Sequence, residues 1–142
     1  MNRFTTAACF ATLIITGCTS LDKPKQPIYS GTGGMTKWNI MPYVYLFHYN
    51  SGFTGIDALG YDEQLQTTWS RLGAAKTCRV PFDKQTMINR LINQYGEDAI
   101  THELNGIGFH SVQSRKVSQF CDKQRVEDIT QSINDYLKGN FN

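Results

Sequence analysis

A chain of 142 residues accommodates one small domain with short appendages, and a composition of 40% hydrophobic and 12% aromatic residues is typical of a folded globular protein rather than a disordered one. A formal net charge of +2, with no run of lysine and arginine longer than two residues, gives no indication of nucleic-acid binding.

The N-terminus has the pattern of an export signal. Residues 1–3 carry a positive charge, and residues 7–15 form an apolar stretch that is too short to span a bilayer. Residues 15–18 (Ile-Thr-Gly-Cys) resemble the lipobox of bacterial lipoproteins, which implies cleavage before Cys18 and acylation of that cysteine. An ordinary signal peptide cleaved elsewhere is the alternative. Thr19, in place of an aspartate, indicates an outer-membrane lipoprotein that faces the periplasm.

These signals predict three segments: a signal peptide over 1–17, a lipidated flexible tether over 18–37 that is rich in glycine and proline, and a folded domain over 38–142. Cys9 leaves with the signal peptide and Cys18 carries lipid, so Cys78 and Cys121 remain. Because export places them in an oxidising compartment, we expect these two cysteines to form a disulfide.

Residues 38–60 are apolar and aromatic, and two interpretations compete for them. Asn50-Ser51-Gly52 could form the tight turn of a β-hairpin. Alternatively, Thr36 caps a helix with Pro42 in or near its first turn. Spacing alone does not decide between the two.

Several helices are predicted further along the chain. Asp62 caps a helix that stops around Gly73, and Asp83 caps one that stops at Gly96. A short helix is predicted over 99–104, broken at 105–108. A helical face that leads into Cys121 follows, with Phe109, Val112, Val117 and Phe120. A last helix runs from Asp122 to Gly139, and its inward side chains are Val126, Ile129, Ile133, Tyr136 and Leu137. The predicted fold is mainly α, a small multi-helix domain stapled by one disulfide.

Part of this domain resembles the Rap/Tai family, small periplasmic immunity proteins against amidases delivered by type VI secretion. The resemblance lies in residues 52–59 (Gly-Phe-Thr-Gly-Ile-Asp-Ala-Leu), in Cys78 with Val80-Pro81 after it, in the helix ending at Tyr95 and in the closing Phe120-Cys121. It covers about residues 43–121. Because residues 52–59 resemble a helix of the family, the resemblance implies the helical interpretation of residues 38–60. The chain departs from the family pattern in lacking a cysteine before Gly52, in having two residues between Cys78 and Pro81, and in having Phe120 where proline is usual.

Catalytic and metal-binding patterns are not apparent. His102-Glu103 would need a histidine at position 106 to form a zincin motif, and Gly106 stands there. His102 and His110 have no further ligand placed to complete a tetrahedral site, so we interpret them as surface or turn residues. The chain is therefore not expected to be an enzyme or to hold a metal or cofactor.

Binding of a protein partner is the remaining interpretation. The first candidate surface is the segment with His102, Glu103, Asn105, Ile107 and His110, although a plain connection between helices would look the same. The second is an aromatic group, Tyr43, Tyr45, Phe47 and Tyr49, whose alternate spacing cannot place all four on one side of a helix.

The function expected from these features is that of a lipid-anchored periplasmic protein-binding domain, most specifically an immunity protein that blocks a type VI secreted cell-wall amidase. The alternative is an accessory or structural lipoprotein of a secretion or pilus assembly, with the helix after Asp122 as its docking element. The expected protein partner is thus an effector amidase or an assembly component, and the lipid is expected to bind the membrane. Homodimerisation stays open. Binding of nucleic acid is not expected.

Overall fold

A computed structural model of the chain describes residues 35–36, 39–55 and 62–141. The predicted signal peptide, Cys18 and most of the predicted tether lie outside the described residues.

The described chain is mainly helical, as predicted. Two short antiparallel strands, β1 (Met35–Thr36) and β2 (Asn39–Ile40), pair with Met35 opposite Ile40. Six helices follow: α1 (Pro42–Ser51), α2 (Glu63–Cys78), α3 (Lys84–Tyr95), α4 (Glu97–His102), α5 (Gly106–Lys116) and α6 (Lys123–Leu137). Within the described residues no helix has the length and apolar character needed to cross a membrane.

Three of the helices begin at the aspartates that the sequence indicates. The carboxylates of Asp62, Asp83 and Asp122 each accept a hydrogen bond from the backbone N–H three residues on, at 2.8, 2.6 and 2.8 Å. These bonds satisfy N–H groups that have no partner within the helix, so the predicted N-caps are confirmed. The predicted stop at Gly96 is confirmed as well, because its φ of 87° ends α3 in a conformation suited to glycine.

The segment after residue 38 contains a helix rather than a hairpin. Asn50 and Ser51, predicted as turn residues in one interpretation, are the last residues of α1. The helical interpretation was wrong at both ends, since Thr36 belongs to β1 and Gly52, with a φ of 96°, ends the helix before Phe53. Pro42 is the first helical residue, where its missing N–H costs nothing. Residues 56–61, with the rest of the predicted helical tail, lie outside the described residues.

Helix α2 continues past Gly73, and the predicted stop there was wrong. Gly73 is buried inside the helix because α5 passes very close: a Cβ on Gly73 would lie 2.5 Å from the Cβ of His110 and 2.7 Å from the backbone nitrogen of Ser111. Glycine at this position therefore serves the packing of two helices rather than the end of one. The helix ends instead at Cys78, with Arg79 in the left-handed conformation.

The core is organised around α2, which packs against α5 and α6, while α1 packs on α5 and α3 packs on α4 and α6. Leu65, Trp69 and Leu72 of α2 are fully buried, and Ile129, Ile133 and Tyr136 of α6 cover them from one side. The predicted inward position of Leu137 was wrong, since that side chain is exposed.

The region between α4 and Cys121 differs from its prediction in detail. The break is a turn at residues 103–105, and Gly106, Ile107 and Gly108 already belong to α5. Helix α5 ends at Lys116, so Val117 and Phe120 do not continue its face, and Val112 is 44% exposed.

The predicted disulfide is present. The sulfur atoms of Cys78 and Cys121 are 2.04 Å apart and their Cα atoms 5.3 Å apart, within the normal geometry of the bond. It ties the end of α2 to the start of α6 and closes the intervening chain, with α3, α4 and α5, into one covalent loop.

Candidate functional site

The most exposed apolar side chain of the folded part lies at the tip of the α4–α5 loop, residues 103–105. Leu104 is 70% exposed, the highest value among the exposed large hydrophobic residues of the described chain. The turn is tight, since the N–H of Gly106 donates to the carbonyl oxygen of Glu103 at 2.8 Å. This geometry directs a leucine into solvent from a short and well-defined connection.

Glu103 fixes this loop to the core. Its Oε2 accepts hydrogen bonds from Gln66 Nε2 at 2.7 Å and from the indole Nε1 of Trp69 at 2.8 Å. Bonds to a charged acceptor are stronger than neutral ones, and both donors lie on α2. A carboxylate predicted to contact a partner thus has a role within the fold.

Gly106 allows the loop to lie against the tryptophan. A Cβ at this position would lie 2.5 Å from Cδ2 of Trp69, so any larger residue would force the loop and the indole apart. The glycine read from the sequence as a helix breaker is instead the first residue of α5 and a point of close contact.

His110 lies in the middle of the core, and its interpretation as a surface or turn residue was wrong. Its side chain is 0% exposed, with Nδ1 3.2 Å from the hydroxyl of Tyr45 and Nε2 3.0 Å from Oε1 of Gln66. Because the amide nitrogen of Gln66 donates to Glu103, Oε1 is left as an acceptor, which assigns the imidazole proton to Nε2 and leaves Nδ1 as an acceptor. The single proton of the Tyr45 hydroxyl is then shared between Nδ1 and the carbonyl oxygen of His110, each 3.2 Å away.

Burial controls the protonation of this network. Desolvation lowers the pKa of His110 from 6.5 to about 3, so the imidazole is neutral at physiological pH. Desolvation also raises the pKa of the Tyr45 hydroxyl far above its ordinary value. Both groups therefore act as neutral hydrogen-bonding partners inside the protein.

The five residues predicted to bind a partner divide into two groups. His102 and Asn105 are exposed and Glu103 is half-buried, so these flank Leu104 on the surface. Ile107 and His110 are buried, at 7% and 0%, because they lie on the face of α5 that packs inward. The prediction is corrected for His110, whose buried side chain cannot reach a partner. Ile107, although only slightly exposed, lines a groove beside Leu104, so its predicted contact with a partner stays a prediction.

The aromatic group of α1 is also divided. Tyr43 is 45% exposed and Phe47 is half-buried, whereas Tyr45 and Tyr49 lie in the core. The ring of Tyr49 is covered by two guanidinium groups, with the Cζ of Arg71 3.8 Å and that of Arg125 4.9 Å from its centroid. These cation–π contacts connect α1 to α2 and α6, so most of the group serves packing.

A groove of about 440 Å³ lies beside Leu104, where the end of α2, the connection to α3 and the α4–α5 loop meet. We call it the basic groove; the side chains that characterise it are Lys76, Arg79 and Lys84 together with Val80, Phe82 and Leu104. No sequence pattern pointed to it, because its three cations are spread over nine positions and two helices and form no charge run.

Over residues 39–55 and 62–141, no group of three or more histidine, cysteine or acidic side chains is close enough to hold an ion. The histidine that the sequence placed nearest to His102, His110, faces into the core instead.

Comparisons with protein-family models, with curated proteins and with solved structures found no match.

Proposed function

We propose that this chain is a lipid-anchored periplasmic protein-binding domain, and most specifically an immunity protein that blocks a type VI secreted cell-wall amidase. The observation that carries the proposal is Leu104, an exposed leucine on a loop whose neighbour Glu103 is hydrogen-bonded to the core. The lipobox-like N-terminus and the Rap/Tai-like residues support the specific form of the proposal.

A loop of this kind suits the obstruction of another protein's active-site cleft. Binding costs free energy wherever a flexible segment must be ordered, and a loop already held in one conformation avoids much of that cost. Glu103 holds the loop from α2, Gly106 lets it lie against Trp69, and the disulfide ties the end of α2 to α6. Leucine at the tip supplies apolar area that a partner's pocket can bury.

The alternative, an accessory lipoprotein of an envelope assembly, relies on α6 as a free docking element. The apolar residues Ile129, Ile133 and Tyr136 of α6 are buried inside the domain, which leaves that helix an outward face that is mainly polar. The exposed apolar loop therefore favours the first proposal.

The test is affinity capture of partners from envelope extracts under non-reducing conditions, with the full chain produced through its own export signal. We expect recovery of an amidase-like effector, lost in Leu104→Asp and retained in Val112→Asp. Val112 is a matched control because it is also an exposed apolar residue, at 44%, and lies on α5 outside the loop. Recovery of secretion or pilus components, or capture that both variants retain, would overturn the proposal.

A second readout comes from competition between bacterial strains. Cells lacking the chain should be killed by a sister strain that delivers the effector, and the wild-type chain should restore their survival where Leu104→Asp does not. Equal survival of the deletion strain would count against an immunity role.

A further inference from the structure

We propose that the basic groove binds an acidic segment of the protein partner that also carries an apolar side chain. This inference rests on the proposed function as a protein-binding domain and names the chemistry of the segment that the domain recognises.

The charge of the groove is one-sided. Lys76, Arg79 and Lys84 line it, and no aspartate or glutamate does. Within the described part of the chain none of the three forms an ion pair, whereas Lys123 and Lys138 on α6 lie within 4 Å of a carboxylate. Three unneutralised cations around one concave surface attract negative charge and repel positive charge.

Two acidic residues directly precede groove residues in the chain, Asp83 before Lys84 and Glu103 before Leu104, and both accept hydrogen bonds within the fold. Asp83 accepts the capping hydrogen bond from the Thr86 N–H, and that bond together with the Thr86 side chain lowers the pKa of its carboxyl. Glu103 accepts from Gln66 and Trp69 on α2. Both carboxylates keep their negative charge, but neither lines the groove: one is directed at the Thr86 N–H and the other at α2. The charges that a partner meets inside the groove are therefore the three cations.

The groove also offers apolar contacts. Val80 and Phe82, on the connection between α2 and α3, are half-buried, and Leu104 projects beside them. A segment that presented only carboxylates would leave this apolar surface in water. The complementary occupant therefore combines negative charge with at least one aliphatic or aromatic side chain.

Arg79 is held at the groove in an unusual backbone conformation. Its φ of 59° and ψ of 31° are left-handed, at the helix end where glycine is the usual residue. An arginine there carries a conformational cost that glycine would not. Arg79→Gly thus removes a positive charge from the groove and also removes the conformational cost of the left-handed backbone. Weaker binding in this variant could therefore not be attributed to a loss of stability.

This chain's own N-terminus does not match the groove. Residues 18–34, which remain after the predicted cleavage before Cys18, carry Lys23 and Lys25 against a single acidic residue, Asp22, so the groove repels them on balance. A bilayer of anionic lipids would meet the cations but leave the apolar floor of a concave groove uncovered. A protein segment fits both features.

The test is a fluorescence anisotropy titration of the full chain in non-ionic detergent, with ten-residue peptides that carry an uncharged dye. One peptide alternates glutamate with leucine, a second replaces glutamate by lysine, and a third replaces leucine by serine. We expect binding of the first peptide alone, weakening as salt increases. Arg79→Gly and Lys84→Gln should each weaken it roughly twofold to fivefold, and the control Lys123→Gln should leave it unchanged.

Thermal unfolding of each variant accompanies the titration, and Arg79→Gly should unfold at a temperature no lower than the wild type. The inference is overturned if the lysine and serine peptides bind equally well, or if the groove variants bind like the wild type. It is also overturned if the groove variants abolish only binding to phosphatidylglycerol vesicles, or only a concentration-dependent dimer seen in sedimentation.

The two proposals fail in different ways. Capture of an amidase-like effector that requires Leu104 but is insensitive to Arg79, Lys84 and salt would retain the proposed function and overturn the acidic-segment inference. Binding of the acidic peptide through the groove, with no effector captured from the envelope, would retain the inference and overturn the immunity function.

Discussion

The hydroxyl of Tyr45 lies 3.2 Å from Nδ1 of His110, a buried hydrogen bond between residues 65 positions apart in the chain. The same hydroxyl lies 3.2 Å from the carbonyl oxygen of His110, so one phenol contacts both the side chain and the backbone of α5. Through Gln66 the network continues to Glu103 and reaches the α4–α5 loop. The conformation of the surface loop is therefore connected to the position of α1.

The first prediction concerns pH. His110 has a pKa of about 3 in the folded protein and 6.5 as the reference value for the unfolded chain, so between these values the unfolded state binds the additional proton. Stability should then fall as pH decreases from 6.5 toward 3, by about 1.4 kcal/mol per pH unit well inside this window, and this contribution should be constant above 6.5.

Urea unfolding at several pH values between 7.5 and 5 measures this slope, in a range where most carboxylates stay ionised. His110→Gln should reduce the slope by the equivalent of one proton. Equal slopes for the wild type and His110→Gln would contradict the assignment.

The second prediction concerns the contact of α2 with α5. Gly73→Ala should destabilise the protein by about 1–3 kcal/mol, because the new Cβ meets the backbone of residues 110 and 111. Gly108→Ala is the matched control, since its nearest neighbour is the flexible Asn105 side chain at 3.2 Å. Chemical denaturation measures both variants, and equal stability of the two would refute the close approach.

The third prediction concerns the hydrogen bonds of the α4–α5 loop. Glu103→Ala should cost about 1–3 kcal/mol, because it leaves the donors of Trp69 and Gln66 without their acceptor. The adjacent Leu104→Ser should change stability little, since that side chain is mostly in water. With Trp38→Phe added so that Trp69 is the one remaining tryptophan, the emission wavelength of Trp69 should shift in Glu103→Ala and stay constant in Leu104→Ser.

The fourth prediction concerns the disulfide, which joins residues separated by 43 positions. The chain-entropy estimate for a loop of this size is about 4 kcal/mol, so Cys78→Ser/Cys121→Ser should lower the free energy of unfolding by an amount of this order. Unfolding of the wild type with and without reductant gives an independent value. A loss below about 1 kcal/mol in both measurements would show that the loop is already restricted in the unfolded chain.

The sequence identified features whose causes are local. Asp62, Asp83 and Asp122 cap helices through bonds made three residues away, and Gly96 ends α3 through its own backbone, so each could be found without the fold. The role of Gly73 was predicted wrongly because it depends on α5, which contacts it about 37 positions further along the chain. A residue pattern cannot distinguish a glycine that ends a helix from one that admits a neighbouring helix.

Only part of the candidate site could be predicted, because the rest depends on how distant helices pack. The loop predicted to carry the site exists, but it is confined to residues 103–105, since His102 ends α4 and α5 begins at Gly106. His110 therefore lies in the core, and Ile107 is mostly buried. The basic groove was missed since Lys76, Arg79 and Lys84 come together only when α2 and α3 are joined at a bend.

The absence of a side chain at position 73 also bears on how proteins with this architecture diverge. The distance between α2 and α5 is set at Gly73, and α5 begins directly after the loop that carries Leu104. A relative with alanine or serine at this position would have to hold α5 farther from α2, and its loop would project differently. One buried residue, remote from any partner, would then alter which partners the lineage recognises.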